Sequence, residues 1–511
     1  MLPLEIIALD SENAARTKLV RWWWRQHAYI LPSFLVAIMV CGWFATWGEG
    51  KFFGRDAFGG YYDAEARSIL AGHLDVPPAA IGTEAFIFRG KTYGYFGFGP
   101  ALLRLPLLAA GNEMDGRWSR LLIFIASVIN LICIYQILRQ VVGEHAVISS
   151  VQRVLHSLFI LCAGIGSTNV FLVARSFTYH EAIMWGATFA LLFAVSILKY
   201  LARPSFKRLL LSAAFAFMAV HSRATVGAGT LLVLAALSAI LFCRCRHRSA
   251  ATAVSIAPAI TKPSSHAILA GLAVIVILCS YAGLNYAKFR TFDGVPLKYY
   301  DFYVRHPQYL VQTRGQQIHW ENIPTTVATY FGTRGIWLDA KFPWIFPSRD
   351  AVFIGSPTIM VVEGFSTVPI SMPALSLLAI AGILPLFRGT NDTVRRLRLP
   401  FIGLALGGGI MLATVAITER YLHDLYPALL IGAAAGVGRI GREKHARSLT
   451  AILVVLTLVS ISVNCAFALE NQRLDAWAMG GVPAQKRTEF KRLQKSIYRF
   501  LHHLPPAATT R

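Results

Sequence analysis

Charge is scarce in this chain: 15% of its 511 residues are Asp, Glu, Lys or Arg, against roughly 25% in soluble proteins. With 55% hydrophobic residues and a mean hydropathy of +0.52, that scarcity excludes a disordered chain, a coiled coil and a small disulfide scaffold, and argues against a water-soluble multidomain enzyme. Acids are scarcer than bases, 26 against 49. A net charge of +23 would ordinarily point to nucleic acid; in a polytopic membrane protein, loop Lys and Arg orient the chain instead, and no nucleic-acid partner is expected. Cysteine is also sparse. Cys41, Cys133, Cys162, Cys279 and Cys465 lie in apolar runs, and Cys243 and Cys245 at the edge of one, so no disulfide framework is implied. The patterns GxxxxGK[ST], strand-to-helix GxGxxG, HExxH and CxxC are all missing. Their absence removes a P-loop nucleotide site, a dinucleotide fold and a zinc site.

What is present is apolar sequence in lengths that fit a bilayer, about 20 residues per helical crossing. Candidate spans fall at 29–47, 119–141, 154–174, 181–200, 208–222, 226–243, 267–287, 368–387, 400–418, 425–438 and 449–469. The expectation is an all-α polytopic membrane protein with about eleven transmembrane helices. No cleavable signal peptide is evident, because residues 1–28 are polar and basic and the first apolar run is long enough to span. With the N-terminus in the cytoplasm and sides alternating, the inner segments hold 22 basic and 6 acidic residues, leaving 27 and 20 outside. Every short inner loop is basic, as the positive-inside rule requires. This divides the chain into a cytoplasmic N-terminus (1–28), a transmembrane domain (29–469) and a tail (470–511). Trp22, Trp23, Trp24 and Arg25 read as an interface anchor. In the tail, Phe490, Leu493, Ile497, Leu501 and Leu504 recur at helical spacing, with Lys491, Arg492, Lys495 and Arg499 on the other face, the pattern of an interfacial amphipathic helix. The alternation puts this tail outside.

Two long loops, 48–118 and 288–367, lie outside and hold 14 of the 20 outer acids. No acid falls deep in a span, which argues against an ion-coupled transporter and favours chemistry at the outer face. The first loop carries Asp56 just after the first span, then Asp63 and Glu65 on a short predicted helix ended by Gly72. Asp63 and Arg67 are i, i+4 neighbours able to pair. A carboxylate near the lipid boundary suits general-base work on a hydroxyl, since desolvation raises its pKa. The plain alternative is a solvated or structurally paired loop acid. Further outer polar residues are His180 and Glu181 after the third span, Arg223 after the fifth and Arg420 after the ninth; Arg334 lies in the second loop and Tyr93 and Tyr95 in the first. Arg holds phosphate oxygens bidentately, although a snorkelling Arg at a span end needs no ligand. The outer acids leave a divalent metal open, with no spacing that compels one.

These residues resemble a family. The run Asp56-Ala-Phe-Gly-Gly-Tyr-Tyr-Asp63-Ala-Glu65-Ala-Arg-Ser-Ile-Leu-Ala-Gly-His-Leu is similar to the opening of the first outer loop in the GT-C class of integral-membrane glycosyltransferases. GKTYGYFGFGPALLRLP resembles the continuation of that loop in bacterial members, and TERYLHDLYPALL a late RY…P element. The resemblance covers the layout and about 65 residues in detail. It implies a hexosyl- or pentosyltransferase of a cell inner membrane, moving a sugar from a polyprenyl-phosphate donor to a glycan, lipid or protein hydroxyl on the outer, periplasmic side. It further implies Asp56 as the base or acceptor-positioning acid, Asp63 and Glu65 as alternative or second acids, and Arg420 near the lipid phosphate. Arg223, His180 and Glu181 match no fixed motif. Asp56 is followed by Ala57 rather than by a second acid, which puts a metal requirement in doubt. A lipid or glycolipid flippase, using the same surface without bond formation, is the competing reading.

Overall fold

The computed structural model describes residues 27–56, 58–143, 148–246, 263–474 and 482–503. The Trp22–Trp24 anchor lies outside the described residues. Among them, eight helices are long and apolar enough to cross a membrane: Ala28–Ala45, Ser119–Val142, Ser150–Val173, Thr178–Ala202, Ala224–Cys245, Pro263–Phe289, Asp392–Ala413 and Ala446–Arg473. The chain is a multi-pass membrane protein. The other three expected spans are helices of 15 or 16 residues, Phe206–Val220, Pro373–Arg388 and Tyr426–Ile440, short of the roughly 20 that a bilayer core takes. The expected eleven is therefore met by eight helices of spanning length.

Local chemistry sets the ends. Ser149 and Gln152 form a reciprocal capping box at Ser150, and Ser205 and Asn391 cap the helices that follow them. Gly143, at φ 103°, closes Ser119–Val142 in a conformation that costs a glycine little. The Pro373–Arg388 and Tyr426–Ile440 helices approach through glycine: a Cβ on Gly382 would meet the Gly432 carbonyl oxygen at 1.9 Å, so no side chain is tolerated there.

The architecture is not all helix. Phe86–Phe88 pairs antiparallel with Lys91–Tyr93 in the first loop, and Ile336–Leu338 with Ile345–Pro347 in the second. Val361–Val362 pairs parallel with Ala416–Ile417. That last pair fastens the end of the second loop to the corner carrying Glu419–Asp424. The loops are joined to each other by a bridge between Phe86 and Tyr300, whose rings stack at 5.0 Å, and by the Asp301 amide donating to the Ala85 carbonyl at 2.9 Å. The two loops and the corners between spans thus form one layer at one end of the bundle.

Candidate active site

The first-loop shelf is built on buried ion pairs. Arg104, fully buried, lies 3.0 Å from Asp63 Oδ1 and 2.9 Å from Glu181 Oε1, and donates to Ser119 Oγ at 3.0 Å. The Gly116 amide donates to Asp63 Oδ2 at 2.8 Å. Arg67 turns instead to Asp115, in two bonds of 2.9 Å, so the expected Asp63–Arg67 pair does not form. Asp63 points inward, and a buried acid takes the buried cation. Lys288, at the end of Pro263–Phe289, donates to Glu65 Oε1 at 3.0 Å and to the Gly94 carbonyl at 3.2 Å; Tyr61 donates to the same carboxylate at 3.0 Å. Burial pushes the Asp63 and Glu65 carboxyls up, against the pull of Arg104 and Lys288. Asp56 accepts from Arg120 Nη2 at 2.5 Å and Nε at 3.1 Å, and from the Ser176 hydroxyl.

Beside this shelf lies a cavity of about 1830 Å³, larger than the roughly 300–1,000 Å³ of an ordinary small-molecule pocket. Its wall draws on both loops and on the corners between helices. Arg420 binds Glu363 with both terminal nitrogens, Nη2 at 3.0 Å from Oε1, and Thr418 donates to Glu363 Oε2 at 2.8 Å. The register Val362 to Ile417 sets this meeting, continued by the Glu363 amide donating to the Ile417 carbonyl at 2.9 Å. Arg420 holds the Glu363 carboxyl below the usual range although burial opposes it. Arg223 is bound by the fully buried Asp424 at 2.8 and 3.1 Å. The two guanidinium groups flank one ring, Arg223 at 5.1 Å and Arg420 at 5.7 Å from the centre of Tyr421, and Arg420 lies 5.3 Å from that of Tyr179.

Glu84 completes the wall. It is 3% exposed and accepts from the Tyr300 hydroxyl at 2.7 Å through Oε1, while Oε2 has no hydrogen-bond partner. Burial pushes its carboxyl up to about 7, against the pull of Tyr300 and Arg420. Such a group can take up a proton near neutrality, within electrostatic reach of Arg420, a cation suited to an anion.

Of the residues expected from sequence, Arg420, Arg223, His180 and Tyr95 line this cavity. His180 Nδ1 is 2.8 Å from the Arg175 carbonyl oxygen, which fixes the proton on that nitrogen. Asp56, Asp63, Glu65 and Glu181 are absent from the lining: Asp56 is bound to Arg120, Glu65 to Lys288, and Asp63 and Glu181 to Arg104, which they share. Tyr93 packs on Phe289 at 5.5 Å. Arg334 is an exposed side chain 3.7 Å from Asp350, and of this pair only Asp350 lines the cavity. Among the described residues, no group of three or more His, Cys, Asp or Glu is placed to hold a metal ion. Sequence reasoning missed Glu84 and Glu363. Neither sits in a local pattern, and each is made distinctive only by a distant partner, Tyr300 or Arg420.

No protein-family model matches the chain, and no curated protein matches it. Several solved structures are similar to it, three of which follow. The oligosaccharyltransferase of Archaeoglobus fulgidus in its apo form is 12% identical, with a TM-score of 0.48 over 90% of this chain and 57% of that one. The oligosaccharyltransferase AglB of Archaeoglobus fulgidus, in complex with an inhibitory peptide and a dolichol-phosphate, is 12% identical, with a TM-score of 0.49 over 91% and 57%. The form tethered to an acceptor peptide is 10% identical, with a TM-score of 0.46 over 95% and 60%. The chain spans less than two thirds of the length of each.

Proposed function

We propose that this protein is an inverting membrane glycosyltransferase of GT-C type, moving a hexosyl or pentosyl group from a polyprenyl-phosphate donor to a hydroxyl of a glycan, lipid or protein at the outer face of a cell inner membrane. The observation that carries the reading is that Arg420 and Arg223, from separate corners, line one cavity with Glu84, whose buried Oε2 has no hydrogen-bond partner. The first-loop resemblance adds to it.

In this reading the donor phosphate lies against Arg420, with Arg223 across the Tyr421 ring held on Asp424, and fixed positive charge stabilises the leaving group without reorganisation. The Glu84 carboxylate takes the proton of the acceptor hydroxyl. The acceptor oxygen bonds to the anomeric carbon as the bond from that carbon to the phosphate oxygen breaks, and polyprenyl phosphate leaves. The base role expected of Asp56, with Asp63 or Glu65 in support, passes to Glu84, because those three acids already hold cations beside the cavity rather than on its wall. They fix the shelf that the wall stands on.

The test is transfer in vesicles supplied with lipid-linked sugar and a hydroxyl acceptor. Release of polyprenyl phosphate, lost in Glu84→Gln with donor binding kept, supports the assignment. Movement of intact lipid-linked sugar across the vesicle wall, with no phosphate released, would replace the enzyme by a flippase. Full transfer by Glu84→Gln but none by a stably folded Asp56→Asn would return the base to Asp56.

A further inference from the structure

The C-terminal helix Ala484–Leu501 stands outside the proposed reaction, yet it is fastened to the cavity wall. It carries Lys486, Arg487, Lys491, Arg492, Lys495 and Arg499 against a single acid, Glu489. One face is seated: Phe490 and Gln494, one turn apart, are buried. The Phe490 ring lies 5.8 Å from that of Phe342, and the Gln494 side-chain amide donates to the Phe342 carbonyl. Lys486 pairs with Glu49, just after the first span. The other face is open. Lys491, Arg492 and Lys495 are exposed, and flanking the seated stripe Leu493, Phe500 and Leu501 stay open at 48%, 80% and 52% exposure.

Phe342 belongs to the turn of the second-loop hairpin, between strands Ile336–Leu338 and Ile345–Pro347. The same hairpin lines the cavity through Trp337, Phe346 and Pro347, with Trp337 stacked on Phe346 at 4.8 Å. It also presents Leu338 and Trp344 to the exterior. Exposed Trp and Leu beside an amphipathic basic helix are the composition of a membrane-interface platform.

We propose that this helix docks on anionic lipid headgroups at the loop side of the membrane, and passes that contact to the cavity wall through the Ile336–Pro347 hairpin. Charge complementarity selects the occupant: six cations with one acid attract a negative surface, and the exposed Leu and Phe beside them need an acyl boundary that a folded acidic protein does not offer. Docked, the helix holds Phe342, and the Trp337–Phe346 stack keeps its place on the wall. Undocked, the hairpin loses that hold at its turn and keeps its strand pairing, its neighbours in the second loop and the packing of Ile345–Pro347 on the Ala446–Arg473 helix.

The experiment is hydrogen exchange of the full chain in nanodiscs of phosphatidylcholine, with and without phosphatidylglycerol. It uses neither sugar donor nor acceptor, so its outcome is independent of the proposed reaction. Phosphatidylglycerol should slow exchange at 484–501 and at 336–347 about tenfold or more, the attraction of only a few basic residues to such a surface, and high salt should abolish the effect. Lys491→Gln with Arg492→Gln and Lys495→Gln should abolish it in both segments while the spans exchange as before. Phe490→Ala, or the milder Gln494→Ala, should free the hairpin while the helix stays protected. Equal exchange in the two lipids would overturn the proposal. Protection of the helix alone in the native chain, or of the hairpin in both uncoupling variants, would overturn the coupling. Equal protection by soluble polyglutamate in phosphatidylcholine discs would assign the surface to an acidic protein instead.

Discussion

The Tyr300 hydroxyl donates to Glu84 Oε1 at 2.7 Å. The bond joins the second loop to the first and spends one lone pair of a carboxylate whose other oxygen has no partner. Tyr300 reaches that position because its ring stacks on Phe86, two residues beyond Glu84. A hydrogen bond to the ionised form favours it, whereas burial favours the protonated form. The balance, with burial the larger influence, leaves Glu84 at about 7.

A base must be ionised to act. Transfer should therefore rise about tenfold per pH unit below about 7 and level off above it. Glu84→Gln should remove that limb and lower turnover by roughly a hundred- to ten-thousand-fold. Tyr300→Phe, by deleting the bond that favours the carboxylate, should move the limb to higher pH. Turnover against pH for the three proteins checks this, and an unmoved limb in Tyr300→Phe would count against Glu84.

Arg420 is the stronger candidate for the donor phosphate, since its partner Glu363 is partly exposed on the cavity wall, whereas Arg223 neutralises the fully buried Asp424. Arg420→Ala should raise the donor KM roughly ten- to a hundredfold, the loss of charged hydrogen bonds. Arg420→Lys should recover little, because an ammonium does not reproduce the fork. Arg223→Ala should instead cost about 3–5 kcal/mol of stability by stranding Asp424, and Asp424→Asn in the same chain should restore part of it. Donor titration and the thermal midpoint in detergent separate the two roles.

Much of the scaffold is legible in the chain, and the reason is that its signals are local. Helix length, a Ser cap at 149 or 205, and basic corners are each written within a few residues. The convergence of Arg223, Arg420, His180 and Tyr95 follows from alternation of sides, which needs no contact to be known. Glu84 and Glu363 were not legible, because both depend on pairings across the chain: Phe86 with Tyr300, and Val362 with Ile417. Asp56, Asp63 and Glu65 carry the family-like motif, yet each is held by a cation from elsewhere, Arg120, Arg104 and Lys288, and spacing does not reveal that.

Those three pairs give a prediction about stability. Arg104→Ala leaves Asp63 and Glu181 facing each other without their shared cation, at 0% and 1% side-chain exposure. The cost should be roughly 3–5 kcal/mol, read as a lowered thermal midpoint in detergent. Asp63→Asn and Glu65→Gln should lower the midpoint more than they change the donor KM. Loss of transfer by either one at an unchanged midpoint would make that acid part of the chemistry.

Glu419 offers a pH test away from the cavity. Its carboxylate is 1% exposed, accepts from the Ser366 amide at 2.5 Å, and leaves Oε1 without a partner. Burial pushes the group from 4.5 to about 8. The folded state thus keeps its proton where the unfolded chain has released it. This contribution to stability is full below pH 4.5, declines as pH rises, and is spent by about 8. Its size is on the order of a few kcal/mol. Glu419→Gln, which cannot ionise, should lose no stability from this source over the same window. Relative to the native chain, its thermal midpoint should therefore climb between pH 5 and 8 and then hold steady. A constant difference across that range would show that Glu419 stays ionised in the folded protein, with a cation or water at Oε1.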